Sequence, residues 1–141
     1  MGVFLIYFLG IMYTWGAGEQ GQLGRRVLSR FETVQSLFAR EVRPTPRGRF
    51  PRVYAGAYHS FAIGDHGEVY TAGLNNHGQL GLEDTENRGS FTLLNGPWSK
   101  GIKSMDGGEH FSALLDETGI EFIIDVFIYK SLLLLEIMTI Y

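Results

Sequence analysis

Arg52–Leu82, RVYAGAYHSFAIGDHGEVYTAGLNNHGQLGL, reads as a self-contained pair of strands closed by glycine-rich turns. Along Tyr54–Ile63, His59, Phe61 and Ile63 fall on one face of an extended chain and Tyr58, Ser60 and Ala62 on the other. That period of two predicts one strand buried on at least one side. Gly64-Asp65-His66-Gly67 predicts a hairpin turn, with Gly67 supplying a positive φ and Asp65 holding the turn through its side chain. Glu68–Ala72 is the return strand.

Both halves of this stretch recur. Tyr70–Gly81 lines up with Tyr13–Gly24, 57 residues earlier, with seven of twelve positions identical, YTxGxxxxGQLG. Gly56-Ala57-Tyr58-His59 is matched 51 residues on by Gly107-Gly108-Glu109-His110, Ala62 by Ala113 and Asp65 by Asp116. In this alignment His59 and His110 share a register, and Asp116-Glu117-Thr118-Gly119 is a hairpin one residue longer than the first. A period of that size, filled with short strands and glycine turns, points to an all-β protein built from blades of a β-propeller.

Composition agrees: 141 residues suffice for one ordinary domain, 45% are hydrophobic, 13% are aromatic and 19 are glycines. The absence of cysteine excludes disulfides and thiolate metal sites. Gly16-Ala17-Gly18-Glu19-Gln20-Gly21 matches the dinucleotide fingerprint G-x-G-x-x-G, but Gln22-Leu23-Gly24 follows where a helix should open, so nucleotide binding there is rejected. The second copy has Asn75 for Gly18, an exchange that a left-handed turn position would accept.

The net charge of −3 conceals an asymmetry, because Arg25–Arg52 holds eight arginines against Glu32 and Glu41. Arginines in such a run suit fork-like capture of carboxylates or phosphates. Within it, Val27, Phe31, Val34, Leu37 and Phe38 can share a helical stripe, so a short helix is expected over 27–42. Pro44 and Pro46 would end it and leave Arg43–Arg49 as an exposed basic loop. Met1–Met12 is apolar but lacks the basic flank and cleavage site of a signal peptide, and reads as the strand preceding a hairpin. After Gly119 the repeat fails: Ile120–Tyr141 has no glycine, and Glu121, Asp125, Lys130 and Glu136 argue against a membrane span. The expected division is 1–119 as partial propeller and 120–141 as a hydrophobic tail outside the pattern, both ends being products of a truncated or misjoined coding sequence.

The succession strand, Gly-x-x-His, strand, Asp-x-Gly hairpin, Val-Tyr-Thr-x-Gly and Gly-Gln-Leu-Gly resembles the repeat of the regulator of chromosome condensation family over Tyr13–Gly119. The resemblance implies a partial seven-bladed β-propeller of about two blades. Gly18–Arg25 and the arginine-rich insert are most similar to the branch of exchange factors for the small GTPase Ran. It further implies that Arg25 and His110 belong to a GTPase-facing surface, and that Arg43, Arg47 and Arg49 form a nucleosome-binding loop meeting the acidic face of the histone dimer. The family's nucleotide-disturbing wedge comes from another blade. No catalytic dyad, triad or metal spacing accompanies these residues, and His66 and His77 sit in turns. The expectation is a nuclear, chromatin-bound exchange factor with no covalent catalysis, no cofactor, no metal, no membrane contact and no small-molecule substrate. The alternative is a propeller used as an interaction scaffold in a larger multidomain protein.

A closed seven-bladed ring takes about 350 to 400 residues, whereas an open piece leaves two apolar sheet faces of roughly 500 Å² each. At about 25 cal/mol/Å² the missing contacts amount to about 12 kcal/mol per face. The isolated 141 residues are therefore expected to aggregate or stay partly unfolded; a cooperative unfolding transition from a monomer would overturn this.

Overall fold

The computed structural model describes residues 3–25, 38–43, 48–98, 100–125 and 130–131. Across them the chain is all-β, in three antiparallel sheets in which each strand pairs with its sequence neighbour. The first sheet holds β1 (Val3–Phe8), β2 (Ile11–Gly16) and β3 (Arg40–Val42). The middle sheet holds β4 (Arg52–Ala55), β5 (His59–Ile63), β6 (Val69–Gly73) and β7 (Arg88–Leu94). The last sheet holds β8 (Ile102–Gly107), β9 (Ser112–Asp116), β10 (Glu121–Ile124) and β11 (Lys130–Ser131). In the first sheet β1, β2 and β3 match β5, β6 and β7 of the middle one, and among the described residues no strand there corresponds to β4 or β8.

The middle sheet is buried on both faces because its alternation serves two cores. Phe61, Ile63, Val69 and Leu94 pack with Ile102, Met105, Leu114, Phe122 and Ile124 of the last sheet. On the other face Ala62, Ala72 and Phe91 pack with Met12 and Val42 of the first sheet and with Phe50. Trp98 closes the first of these cores edge-on to Phe122, and Phe50 meets Tyr70 edge-on at 5.6 Å in the second. Sheets stacked face to face with β4 beside both β1 and β8 are blades fanning about a common side.

Three expectations are corrected. Tyr54–Ile63 is not one strand, because Gly56-Ala57-Tyr58 turns β4 back into β5, with the Gly56 amide donating to the His59 carbonyl at 2.8 Å. Glycine is required at that turn: a Cβ on Gly56 would lie 2.4 Å from the His59 ring. The expected helix over 27–42 fares differently along its length. Residues 27–37 lie outside the described residues, while Arg40–Val42 is a strand paired with Met12–Thr14, since ladder bonds and burial of Val42 override the helical period there.

The third concerns register. Ser60 pairs with Ala55 as Ser112 pairs with Gly107, and the Gly108 amide donates to the Phe111 carbonyl as Gly56 does to His59. Phe111, not His110, therefore stands where His59 stands, and His110 is the counterpart of Tyr58. The hairpins have equal length, since Gly67 bonds Gly64 as Gly119 bonds Asp116. Ser60 to Ser112 and Gly67 to Gly119 are both 52 residues apart, so no extra residue remains between the two copies. Asp65 does not hold its turn; the Glu68 carboxylate accepts the His66 amide at 3.0 Å instead, whereas in the second hairpin Asp116 accepts both the Thr118 and Ile120 amides at 2.9 Å.

Leu9-Gly10 is a two-residue hairpin with φ 51° and 85°, the left-handed pair that matches strand twist. Among the described residues no helix is long and apolar enough to cross a membrane.

Gly73 has φ 117°, and a Cβ there would lie 2.4 Å from the Tyr58 carbonyl oxygen. At Gly67, φ 81°, an added Cβ would meet nothing within 4 Å. Gly73→Ala is expected to cost about 3 kcal/mol or more and Gly67→Ala about 1 kcal/mol, read by denaturant unfolding of the complete protein. Equal losses would contradict the close approach at Gly73.

Candidate functional site

Because neighbouring strands are antiparallel, the loops fall into two sets at opposite ends of the sheets. One rim carries the turns after β2, β4, β6 and β8; the other carries the turns after β1, β5 and β9, the end of β3 and the approach to β4.

The first rim is built by the Gly-Gln-Leu-Gly loops. Gln22 and Gln79 are buried, and each side-chain oxygen folds back to accept a backbone amide, from Gln20 at 2.9 Å and from His77 at 2.8 Å. Their main-chain carbonyls then accept hydroxyls from the next sheet, Ser60 Oγ to Gln22 at 2.7 Å and Ser112 Oγ to Gln79 at 2.8 Å. The motif glycines permit this docking: a Cβ on Gly24 would lie 2.1 Å from the Phe91 ring, and one on Gly21 would lie 2.5 Å from the Arg88 carbonyl. Positive φ falls at Gly16, Gly21 and Gly24 and at Gly73, Gly78 and Gly81, but at neither Gly18 nor Asn75. The Gly-to-Asn exchange is therefore not a left-handed position. Asn75 is there for its amide, which accepts the Leu80 N–H at 3.0 Å and donates to Asp84 at 2.9 Å. Asp84 also takes an ion pair from Arg88 at 2.6 Å, which holds its carboxyl below the usual range.

Arg25 follows the first of these loops. It is half-buried in a cleft of about 220 Å³ shared with Gly18, Glu19, Gly21, Asn87 and Gly89, at the seam between the first and middle sheets. His110 lies on the same rim in the last sheet, exposed, with its Nε2 3.8 Å from the Glu109 carboxylate. Its ring packs on His77, centroids 4.2 Å apart and tilted 32°. The Ala57 amide bonds the Gly108 carbonyl at 3.1 Å, joining the two turns that carry Tyr58 and His110.

Arg43 and Arg49 stand on the opposite rim, both exposed. Arg43 is ion-paired with Glu41. The Arg49 stem lies against Gly10, and its carbonyl accepts the Asp65 amide at 3.1 Å. Arg47 lies outside the described residues. Two residues escaped the reading of the sequence: His77, set aside as a turn residue, and Tyr58, hidden by the one-residue offset. Aligning Ser60 with Ser112 and Gly67 with Gly119 would have exposed Tyr58, whereas no signal in the sequence pairs His77 with His110.

His59 is fully buried between the middle and last sheets. The single hydroxyl proton of Ser112 goes to Gln79, so Ser112 Oγ accepts from His59 Nε2–H at 2.7 Å. His59 thus bonds a side chain across the seam. That tautomer leaves Nδ1 bare and buried without a partner, and burial pushes the imidazole down to about 4. Among the described residues no group of three His, Asp or Glu side chains could hold a metal ion.

Comparison with known proteins matches residues 10–63 and 66–115 to the Regulator of chromosome condensation (RCC1) repeat. Each matched unit takes in the last two strands of one sheet, as numbered along the chain, and the first two of the next: β2–β5, then β6–β9. Protein pim1 of Schizosaccharomyces pombe is 42% identical over 78% of this chain and 21% of its own length. Guanine nucleotide exchange factor SRM1 of Saccharomyces cerevisiae is 34% identical over 78% of this chain and 23% of its own. The probable E3 ubiquitin-protein ligase HERC3 of Homo sapiens is also 34% identical, over 78% of this chain and 10% of its own. Among solved structures Prp20p of Saccharomyces cerevisiae, studied for binding to Gsp1p and histones, superposes with a TM-score of 0.73 at 31% identity, covering 84% of this chain and 27% of that one. The chain therefore spans about a quarter or less of the relatives named.

The His59 geometry sets a pH dependence. The unfolded imidazole takes a proton near pH 6.5 and the folded one only near 4, so stability is full above 6.5 and falls as pH drops through that window. The loss approaches about 3 kcal/mol. His59→Phe, which puts at this position the ring type that Phe111 already has in the next sheet, should flatten the unfolding free energy of the complete protein between pH 4 and 6.5. An unchanged slope would refute the assignment.

Proposed function

Because this chain belongs to the Regulator of chromosome condensation (RCC1) repeat family, we propose that it is part of a chromatin-associated guanine nucleotide exchange factor for the small GTPase Ran, working in the nucleus through protein binding. An exchange factor makes and breaks no covalent bond. It binds the nucleotide-free GTPase more tightly than the loaded form, and that difference expels GDP.

The observation that carries this reading is the separation of the two candidate surfaces. Arg25 and His110 share the rim of the Gly-Gln-Leu-Gly loops, and Arg43 and Arg49 share the other. A GTPase on the first and an acidic histone surface on the second would not compete. Arginine forks suit carboxylates on such a surface, and the likeness to SRM1, named an exchange factor, and to Prp20p, studied with Gsp1p and histones, supports both partners.

The equal identity to HERC3 favours a second reading, in which the repeats serve as a binding scaffold without exchange activity. One experiment separates the two: GDP release from Ran, followed by fluorescence, with the complete protein as exchange factor. The first reading expects acceleration, slowed about 10-fold by Arg25→Ala or His110→Ala. Replacing Arg43, Arg47 and Arg49 together by Ala should leave exchange intact while weakening nucleosome binding and flattening its salt dependence. GDP release no faster than the spontaneous rate would leave only the scaffold.

A further inference from the structure

We propose that His77 is the positioning residue for His110, so that the GTPase meets a stacked imidazole pair assembled from two adjacent sheets rather than a lone histidine. This rests on the reading that His110 faces the GTPase.

The two rings differ in how firmly they are mounted. His77 is held at both ends: its backbone amide donates to the buried Gln79 side chain at 2.8 Å, and its Nδ1 lies 2.9 Å from Asn76 Oδ1. That carboxamide oxygen also accepts from Gln79 Nε2 at 3.2 Å. An amide oxygen only accepts, so Nδ1 carries the proton and the ring orientation is set. Gln79 is in turn fixed through its carbonyl to Ser112. His77 therefore stands on a braced support that reaches back into the seam between the sheets.

His110 has no comparable anchorage in its own loop. Its Nε2 lies 3.8 Å from Glu109, beyond hydrogen-bond length, and both side chains are about half exposed or more, 51% and 64%. What defines its ring is the face contact with His77 at 4.2 Å. The pairing is specific to this seam: at the equivalent positions one sheet earlier the residues are Gln20 and Tyr58. An exposed side chain with free rotamers loses them when it binds, and a neighbour that fixes the ring beforehand removes part of that cost.

The test measures binding of nucleotide-free Ran to the complete protein with His110→Ala, His77→Ala, the double variant and His77→Phe. His110→Ala should weaken binding about 10-fold. His77→Ala should weaken it roughly 3- to 10-fold, with the double variant no weaker than His110→Ala alone, because His77 acts through His110. His77→Phe keeps a flat ring against His110 and should bind within about 2-fold of the unaltered protein. Both histidines are exposed, so unfolding midpoints should stay unchanged. The proposal is overturned if His77→Ala binds normally while His110→Ala does not, if the two effects multiply, or if His77→Phe is no better than His77→Ala. If His110→Ala itself binds normally, the GTPase-facing reading of that residue fails first and the role of His77 goes with it.

Discussion

The fold depends on a hydroxyl-to-carbonyl clasp repeated at each seam between sheets. Ser60 reaches back to Gln22 and Ser112 to Gln79, both at the first or second residue of a strand and both fully buried. A buried carbonyl without a donor is costly, so each clasp also fixes how far one sheet can slide against the next. Everything else at the seam is arranged around it. The glutamine side chain braces the loop that offers the carbonyl, and the flanking glycines let that loop lie against the neighbouring outer strand. Apolar packing supplies most of the attraction between the sheets, and the clasp supplies the register.

The same loops that clasp the seams also form one functional rim. That coupling explains why Arg25 and the His77–His110 pair both sit at boundaries between sheets: the loops are anchored there, so side chains they carry are held in fixed relation. The other rim is made of short hairpins, with Arg43 just past the end of β3 and Arg49 in the approach to β4, both exposed. Two surfaces with different supports thus share one set of sheets.

Much of this was legible in the chain itself. The glycine-punctuated echo of Tyr13–Gly24 in Tyr70–Gly81 is a direct record of two equivalent loops, and the alternation in His59–Ile63 marked a strand buried on at least one side, which the fold buries on both. The strand break at Gly56 was not visible, because a turn in which glycine makes room for the His59 ring looks like any small residue in an apolar run. The His59–His110 equivalence misled because identical letters one residue out of step hid the constant spacing from Ser60 to Ser112 and from Gly67 to Gly119, which the pairing reveals. Asn75 was misjudged for a related reason: its exchange with glycine suggested backbone freedom, while its work lies in side-chain bonds to Leu80 and Asp84. Contacts that cross a seam, such as His59 to Ser112 or His77 to His110, leave no periodic trace in one sequence.

The family's sequence unit is out of phase with the sheet, running from β2 to β5 and again from β6 to β9. Each unit is therefore a covalent strap over a seam, and no sheet is encoded by a single unit. Growth of such a ring by tandem duplication inserts half of one blade and half of another at a stroke, and the chain itself carries the correct neighbour into place. A ring assembled this way can change its number of blades without inventing a new joint, since the joint is the part that is copied.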